Sequence, residues 1–263
     1  MAEFSHTFAV CAYKESPYLR ACLLSLKNQS VPARIFIATS TPNDHIRAVA
    51  EEFDVPLYIS PRESGIGRDW NFAVSCAKTD YVTIAHQDDL YQPDYLSRLI
   101  AYSQKAKDPL IFFTDYAELR GETANAHTRN LNIKRKINAL VRPKLFWRSK
   151  FMRRRALSVG NAICCPSVCL HMAAYPDFTF DETMGSNLDW DAWSRLAEKT
   201  GSFVYIPEVL MMHRIHQDSE TTKQLDDGHR FEEDYAIIRR YWPTFIAKRI
   251  MKHYTKSADS NHV

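Results

Sequence analysis

Apolar residues follow two rhythms along this chain. Short runs at Phe8-Ala9-Val10-Cys11, Ile35-Phe36-Ile37-Ala38, Pro56-Leu57-Tyr58-Ile59, Tyr81-Val82-Thr83-Ile84-Ala85 and Leu110 to Thr114 predict strands buried on both faces. Amphipathic segments fill the gaps. Ser16-Pro17 opens a helix through YLRACLLSLKNQ with an apolar stripe of Leu19, Leu23, Leu24 and Leu26, and helices follow over Pro42–Phe53, Gly65–Ala77 and Asp94–Lys105. Strands and helices that alternate with short links predict right-handed crossovers and a mostly parallel sheet covered on both faces. Ligands bind such a sheet beyond the carboxyl ends of its strands, which puts Cys11-Ala12-Tyr13-Lys14 and His86-Gln87-Asp88-Asp89 at the binding edge.

The second half is less regular. Gly160 to Ser167 reads as a loop entering a short strand, and DWDAWSRLAEKT, from Asp189, as a helix ended by Gly201. Phe203–Ile206 and Val209–His213 predict two further strands, and helices at about 228–240 and 243–254 close the chain. Neither an internal repeat nor a Gly/Ser-rich linker interrupts it. One continuous domain with a helical C-terminal elaboration is expected.

Composition narrows the classes. At 263 residues and 45% hydrophobic, the chain can fill a large core, which excludes global disorder. No apolar run is long enough to cross a bilayer, and MAEFSHTFAV lacks a signal-type start, so the expected place is the cytoplasm. The six cysteines (Cys11, Cys22, Cys76, Cys164, Cys165, Cys169) show no paired metal-binding spacing and read as buried thiols. The net charge of +3 is small but uneven: Lys134 to Arg155 holds ten cations, no acid, and Phe146, Trp147 and Phe151. That stretch and the C-terminal FIAKRIMKHYTK suit an anionic membrane surface or an anionic polymer, or fit an ordinary solvated face; nucleic acid is not the expected partner.

Asp88 and Asp89 end a strand, where adjacent carboxylates suit a hard divalent cation or cap the following turn. Asp189 suits an N-cap of the helix that follows. In HRIH, Arg214 can clamp a phosphate, and His216 can donate to one or ligate a metal. Taken singly, none of these decides between structure and chemistry.

Their order is more specific. CAYKESPYLRACLLSLKNQS, SGIGRDWNFAVSCAKTDYVTIAHQDDLYQPDYL and DETMGSNLDWDAWSRLAEKTGSFVYIPEVLMMHRIHQDSETT resemble, in sequence, three blocks of the family 2 glycosyltransferases. The resemblance implies a GT-A type α/β fold with a Rossmann-like sheet. It also implies inverting transfer of one sugar from a nucleotide-diphosphate sugar to a hydroxyl of a glycan or lipid-linked glycan, in cell-surface polysaccharide synthesis. It divides the chain into a nucleotide-sugar half (1–115), an acceptor and catalytic half (116–222) and C-terminal helices (223–263).

Carried over by position, it implies Mn2+ or Mg2+ held by Asp88, Asp89 and His216, with Asp189 as catalytic base. Donor contacts fall on Ala12, Tyr13, Lys14, Glu15, Thr39, Ser40, Arg68, Asp69, His86, Gln87 and Arg214, and acceptor contacts on Gly160, Asn161, Trp190 and Asp191. The sequence departs from the pattern at His86, where the first acid of D-x-D is usual, and at Thr39 and Ser40, where an acid usually contacts the base. The basic stretch lies where the resemblance places the acceptor region, which favours a lipid-linked glycan on the inner leaflet, with the protein peripheral on the inner face of the cell membrane, or an anionic polysaccharide precursor. A sugar nucleotidyltransferase and a non-catalytic glycan-binding relative are the competing classes; the first is disfavoured by the lack of a Gly-rich phosphate loop near the N-terminus.

Overall fold

The computed structural model describes residues 4–216 and 229–258. Strands β1 (His6–Ala12), β2 (Arg34–Thr39), β3 (Leu57–Ile59) and β4 (Tyr81–His86) run parallel in the spatial order β3-β2-β1-β4. Helices α1 (Leu19–Lys27), α2 (Asp44–Glu52) and α3 (Ile66–Cys76) make the crossovers, as the alternation predicts. Side-chain alternation gives the sheet two covered faces. Phe8, Val10 and Ala12 pack on one side with Leu19, Leu23 and Ile46, while Ala9, Phe36 and Val82 pack on the other with Ala73 of α3. On α1 the buried stripe is Leu19, Cys22, Leu23 and Leu26; Leu24 points outward and is 53% exposed, because a 3.6-residue period brings Cys22 to the inner face in its place. Asn43 caps α2, its Oδ1 accepting the Ile46 N–H at 2.9 Å.

The sheet continues as a mixed one. The remaining strands are β5 (Leu90–Tyr91), β6 (Pro109–Arg120), β7 (Thr123–Asn125), β8 (Val168–His171) and β9 (Ser202–Arg214), and the full order is β3-β2-β1-β4-β8-β6-β9-β5 with β7 on β6. β8 is antiparallel to both its neighbours, whereas β6 and β9 run parallel to each other. The two strands expected at 203–206 and 209–213 are one. Thr114 pairs with Ile206 and Asp115 with Val209, so Pro207 and Glu208 form a bulge opposite β6. Proline has no N–H for the ladder, and the bulge takes it out of register without ending the strand.

The helices of the second half are α4 (Tyr95–Ser103), α5 (Arg129–Asn138), α6 (Lys150–Leu157), α7 (Leu188–Ala197), α8 (His229–Arg239) and α9 (Thr244–Ala258). The basic stretch therefore folds as two helices with two short 3-10 turns between them. Trp190 and Trp193 of α7 are fully buried in the second core, and Gly201 follows at φ +143°. A Cβ at Gly201 would lie 2.6 Å from Leu110 Cγ, so both the backbone angle and the space require glycine.

Candidate active site

Strand register builds the site. Ala12 pairs with Thr39 and Cys11 with His86, so β1, β2 and β4 end level, and the chain leaving β1 and β4 opens a cleft of about 1020 Å³. Gln87 ties the two exits together: its Oε1 accepts the Tyr13 N–H at 3.1 Å and its Nε2 donates to the Tyr13 carbonyl at 2.9 Å. Lys14 turns at φ +53°, its N–H donating to Thr41 Oγ1 at 2.6 Å. Across the cleft, β5 pairs with β9 through Leu90–Met212 and Tyr91–Met211, which carries the acid pair to the end of β9.

Asp88 and Asp89 part there. Asp89 is 0% exposed; its Oδ1 accepts the Arg214 N–H at 2.9 Å and lies 3.0 Å from His213 Nδ1. Asp88 faces the cleft with Oδ2 2.9 Å from His216 Nε2. Burial pushes the Asp88 carboxyl up, but the His216 hydrogen bond and the charges of His86 and His213 outweigh it, leaving the group below the ordinary carboxylate range. Burial pulls His213 down, and the Asp89 carboxylate more than offsets it, so His213 is raised. Arg214 donates from Nε to the Asp88 carbonyl at 2.9 Å and stacks over Tyr18 at 4.3 Å.

These groups fit a small hard cation. Ligand atoms of His86, Asp88 and Asp89 lie within 4.8 Å of one another. The 2.9 Å between Asp88 Oδ2 and His216 Nε2 matches the ~3 Å edge between adjacent ligands of an octahedral cation with ~2.1 Å bonds. One carboxylate and one imidazole leave the other positions to substrate oxygens and water. His86 stacks on Trp70 at 5.3 Å, with its buried Nε2 unpartnered among the described residues.

Asp189 stands in the first turn of α7, where Asn187 takes the cap position. Its Oδ2 accepts from Asn161 Nδ2 and its Oδ1 from the Trp190 N–H, both at 2.7 Å. Of the residues expected from sequence, Ala12, Tyr13, Lys14, Glu15, Asp69, His86, Gln87, Asp88, Gly160, Asn161, Asp189, Arg214 and His216 line this one cleft. Thr39, Ser40, Arg68, Asp89, Trp190 and Asp191 do not. Thr39 is buried, its Oγ1 taken by the Thr41 N–H at 3.0 Å, and Arg68 turns back to the Ser64 carbonyl at 2.7 Å. Trp190 is 0% exposed, its indole N–H on the Leu157 carbonyl, and Asp191 is held by Arg195 and Arg240. Both are buried residues of α7, away from the cleft lining. Asp69 stays in the lining, and burial raises its carboxyl.

Sequence reading left out Glu233 of α8, which accepts the N–H groups of Gly185, Ser186 and Asn187 at 2.7, 3.0 and 2.9 Å. It thereby fixes the loop immediately before Asp189. Asp234 lines the cleft and takes the Asn187 amide at 2.9 Å. No local signal marks either residue, since both act on a loop far away in sequence.

Known proteins share this architecture. TarS 1–349 of S. aureus in complex with UDP-GlcNAc superposes with a TM-score of 0.65 at 14% identity, covering 95% of this chain and 71% of that one. The mannosyltransferase PcManGT of Pyrobaculum calidifontis, in complex with GDP-Man and Mn2+, gives 0.64 at 13%, covering 98% and 76%. At such identities the likeness establishes the fold, which is GT-A. In sequence the chain is 25% identical over 222 residues to a chondroitin synthase of Escherichia coli and 27% identical over 107 residues to the putative glycosyltransferase EpsH of Bacillus subtilis. These matches take in 82% and 39% of the chain, which spans only 29% and 31% of the two relatives. Residues 7–174, more than half of the chain, match the model for Glycosyl transferase family 2, and the chain belongs to that family.

Proposed function

We propose that the protein is an inverting, metal-assisted glycosyltransferase. It moves one sugar from a nucleoside-diphosphate sugar to a hydroxyl of a glycan or lipid-linked glycan, in the assembly of a bacterial cell-surface polysaccharide. The observation that carries this reading is the pairing in one cleft of Asp88 with His216 and of Asp189 with Asn161. The named complexes of the structural neighbours, one with UDP-GlcNAc and one with GDP-Man and Mn2+, support a nucleotide-sugar donor and a divalent cation. They differ in base, so both uridine and guanosine donors are candidates.

Asp88 and His216 are the residues that would hold the cation; when bound, it neutralises the charge that builds on the departing diphosphate. Arg214, fixed on the Asp88 carbonyl and backed by Tyr18, presents its guanidinium at the same end of the cleft. Asp189 takes the proton of the acceptor hydroxyl as that oxygen attacks the anomeric carbon. The carbon–oxygen bond to the diphosphate breaks and its electron pair leaves with the nucleotide. Asn161 and the Trp190 N–H each hold one Asp189 oxygen, which fixes the carboxylate in position for the proton transfer. A single displacement inverts the centre.

The test is the anomeric configuration of the first-formed product, read by proton NMR with an α-linked donor. A β-linked product is expected; an α-linked product would rule out one-step displacement by this base.

A further inference from the structure

Cations and bare apolar side chains crowd one region beside the cleft. Of the ten cations between Lys134 and Arg155, Arg135, Arg148 and Arg154 pair with Asp115, Asp108 and Glu198, and Arg153 is buried against the Lys199 and Gly201 carbonyls. Lys136, Arg142, Lys144 and Lys150 are exposed and pair with no acid among the described residues. Among them Leu145 is 83% exposed and Phe151 63%. Large apolar side chains left in water at this density mark an interaction surface.

Helical spacing orders the patch. On α6, Arg155 lies four residues after Phe151 with its guanidinium 5.2 Å over that ring, and Val159, just past the end of the helix, is an exposed member of the cleft lining. On α5, Ile133 is exposed at the same cleft, with Lys136 three residues on. Arg155 also stacks over Trp242 at 4.7 Å, and the Trp242 indole donates to the Ser158 carbonyl at 2.8 Å, which brings the start of α9 alongside α6. There Phe245 is 74% exposed, and the same helix exposes Lys248, Arg249 and Lys252 with no acid in its sequence.

We propose that this surface docks the protein onto an anionic phospholipid bilayer. Leu145, Phe151 and Phe245 enter the headgroup region, the unpaired cations meet lipid phosphates, and the rim at Ile133 and Val159 places the cleft mouth beside the bilayer. Its purpose, delivery of a lipid-linked acceptor, rests on the functional reading above; the docking itself does not. Charge complementarity alone would suit any polyanion, but three large apolar side chains presented to water gain nothing from a soluble one and gain burial in lipid.

Flotation of the full chain with phosphatidylglycerol/phosphatidylcholine vesicles and with pure phosphatidylcholine vesicles tests this. Recovery is expected with the anionic vesicles only and to fall with added salt, each removed cation costing about fivefold in partitioning. The triple variant Leu145→Ser, Phe151→Ser, Phe245→Ser should lose recovery while its circular dichroism and its release of nucleoside diphosphate in solution stay unchanged. Equal recovery on both vesicle types, wild-type recovery of the triple variant, or retention on heparin without flotation would overturn the proposal. Flotation without any donor turnover would instead count against the catalytic reading and leave the docking intact.

Discussion

Asp88 and Asp89 are neighbours in sequence with opposite tasks. Asp89 spends its oxygens on the Arg214 N–H and His213, out of solvent, whereas Asp88 reaches the cleft with His216 as partner. Asp88→Asn is therefore expected to lower kcat/KM by at least ~100-fold and to abolish the response to Mn2+, with an unchanged melting temperature. Asp89→Asn removes the charge that holds His213 and Arg214, so it should lower stability by ~1–3 kcal/mol as well as activity. Thermal melts of the two variants beside Mn2+ titrations separate them; equal loss of stability in both would contradict the division. For single residues, the HQDD and HRIH stretches and Asp189, picked out by their spacing, do come together at one cleft. The burial of Trp190 and Asp191 was not readable, because the W-D-x-W block looks like a site while its helix turns those two side chains into the core. Burial of an individual side chain depends on a helix's rotation against its neighbours, which a motif does not record.

Among the elements, α8 does work that no sequence pattern announces. Glu233 takes three successive backbone N–H groups and the Ser186 hydroxyl just ahead of Asp189. Those donors outweigh the burial that alone would raise it, and its carboxyl lies below the ordinary range. Glu233→Ala leaves four donors to water and lets the loop shift. The expected result is a ~10- to 100-fold lower kcat with little change in donor KM, since the donor side of the cleft is untouched. A variant that changed KM and spared kcat would show that the loop serves the donor instead. The strands were legible wherever apolar runs were short and bounded, from β1 to β4. β9 was read as two pieces because Pro207 breaks the pattern without breaking the strand. β5 and β7 escaped notice, since strands of two and three residues have no period to detect.

Across the whole molecule, stability should depend on pH through His6 in the strand core. Burial drives this imidazole from its ordinary 6.5 down to about 3, and its Nε2 meets Thr83 Oγ1 at 2.9 Å while Nδ1 has no partner among the described residues. The folded protein therefore keeps His6 neutral. Below pH 6.5 the unfolded chain takes up a proton that the folded one refuses until about pH 3, so stability is complete above that window and declines through it. The loss approaches ~1.4 kcal/mol per pH unit. Urea midpoints from about pH 7 to about pH 4 should fall more steeply for wild type than for His6→Gln; parallel curves would show that His6 is not the group responsible.

The alternation of strands and helices made the fold readable at this scale, and three blocks in order made the family readable. The meeting of Asp189 and Asp88 in one cleft was not readable, because residues about a hundred positions apart are brought together by a sheet with a reversed strand β8 and a bulged β9 that no local pattern announces. A cleft that turns over a nucleotide sugar through Asp88 and Asp189 needs both carboxylates. Release of nucleoside diphosphate with Mn2+, measured over a panel of UDP, GDP and dTDP sugars for wild type, Asp88→Asn and Asp189→Asn, tests it most directly. The account predicts turnover of at least one donor by wild type and a loss of ~100-fold or more in each variant; no turnover of any donor, or variants as active as wild type, would contradict it.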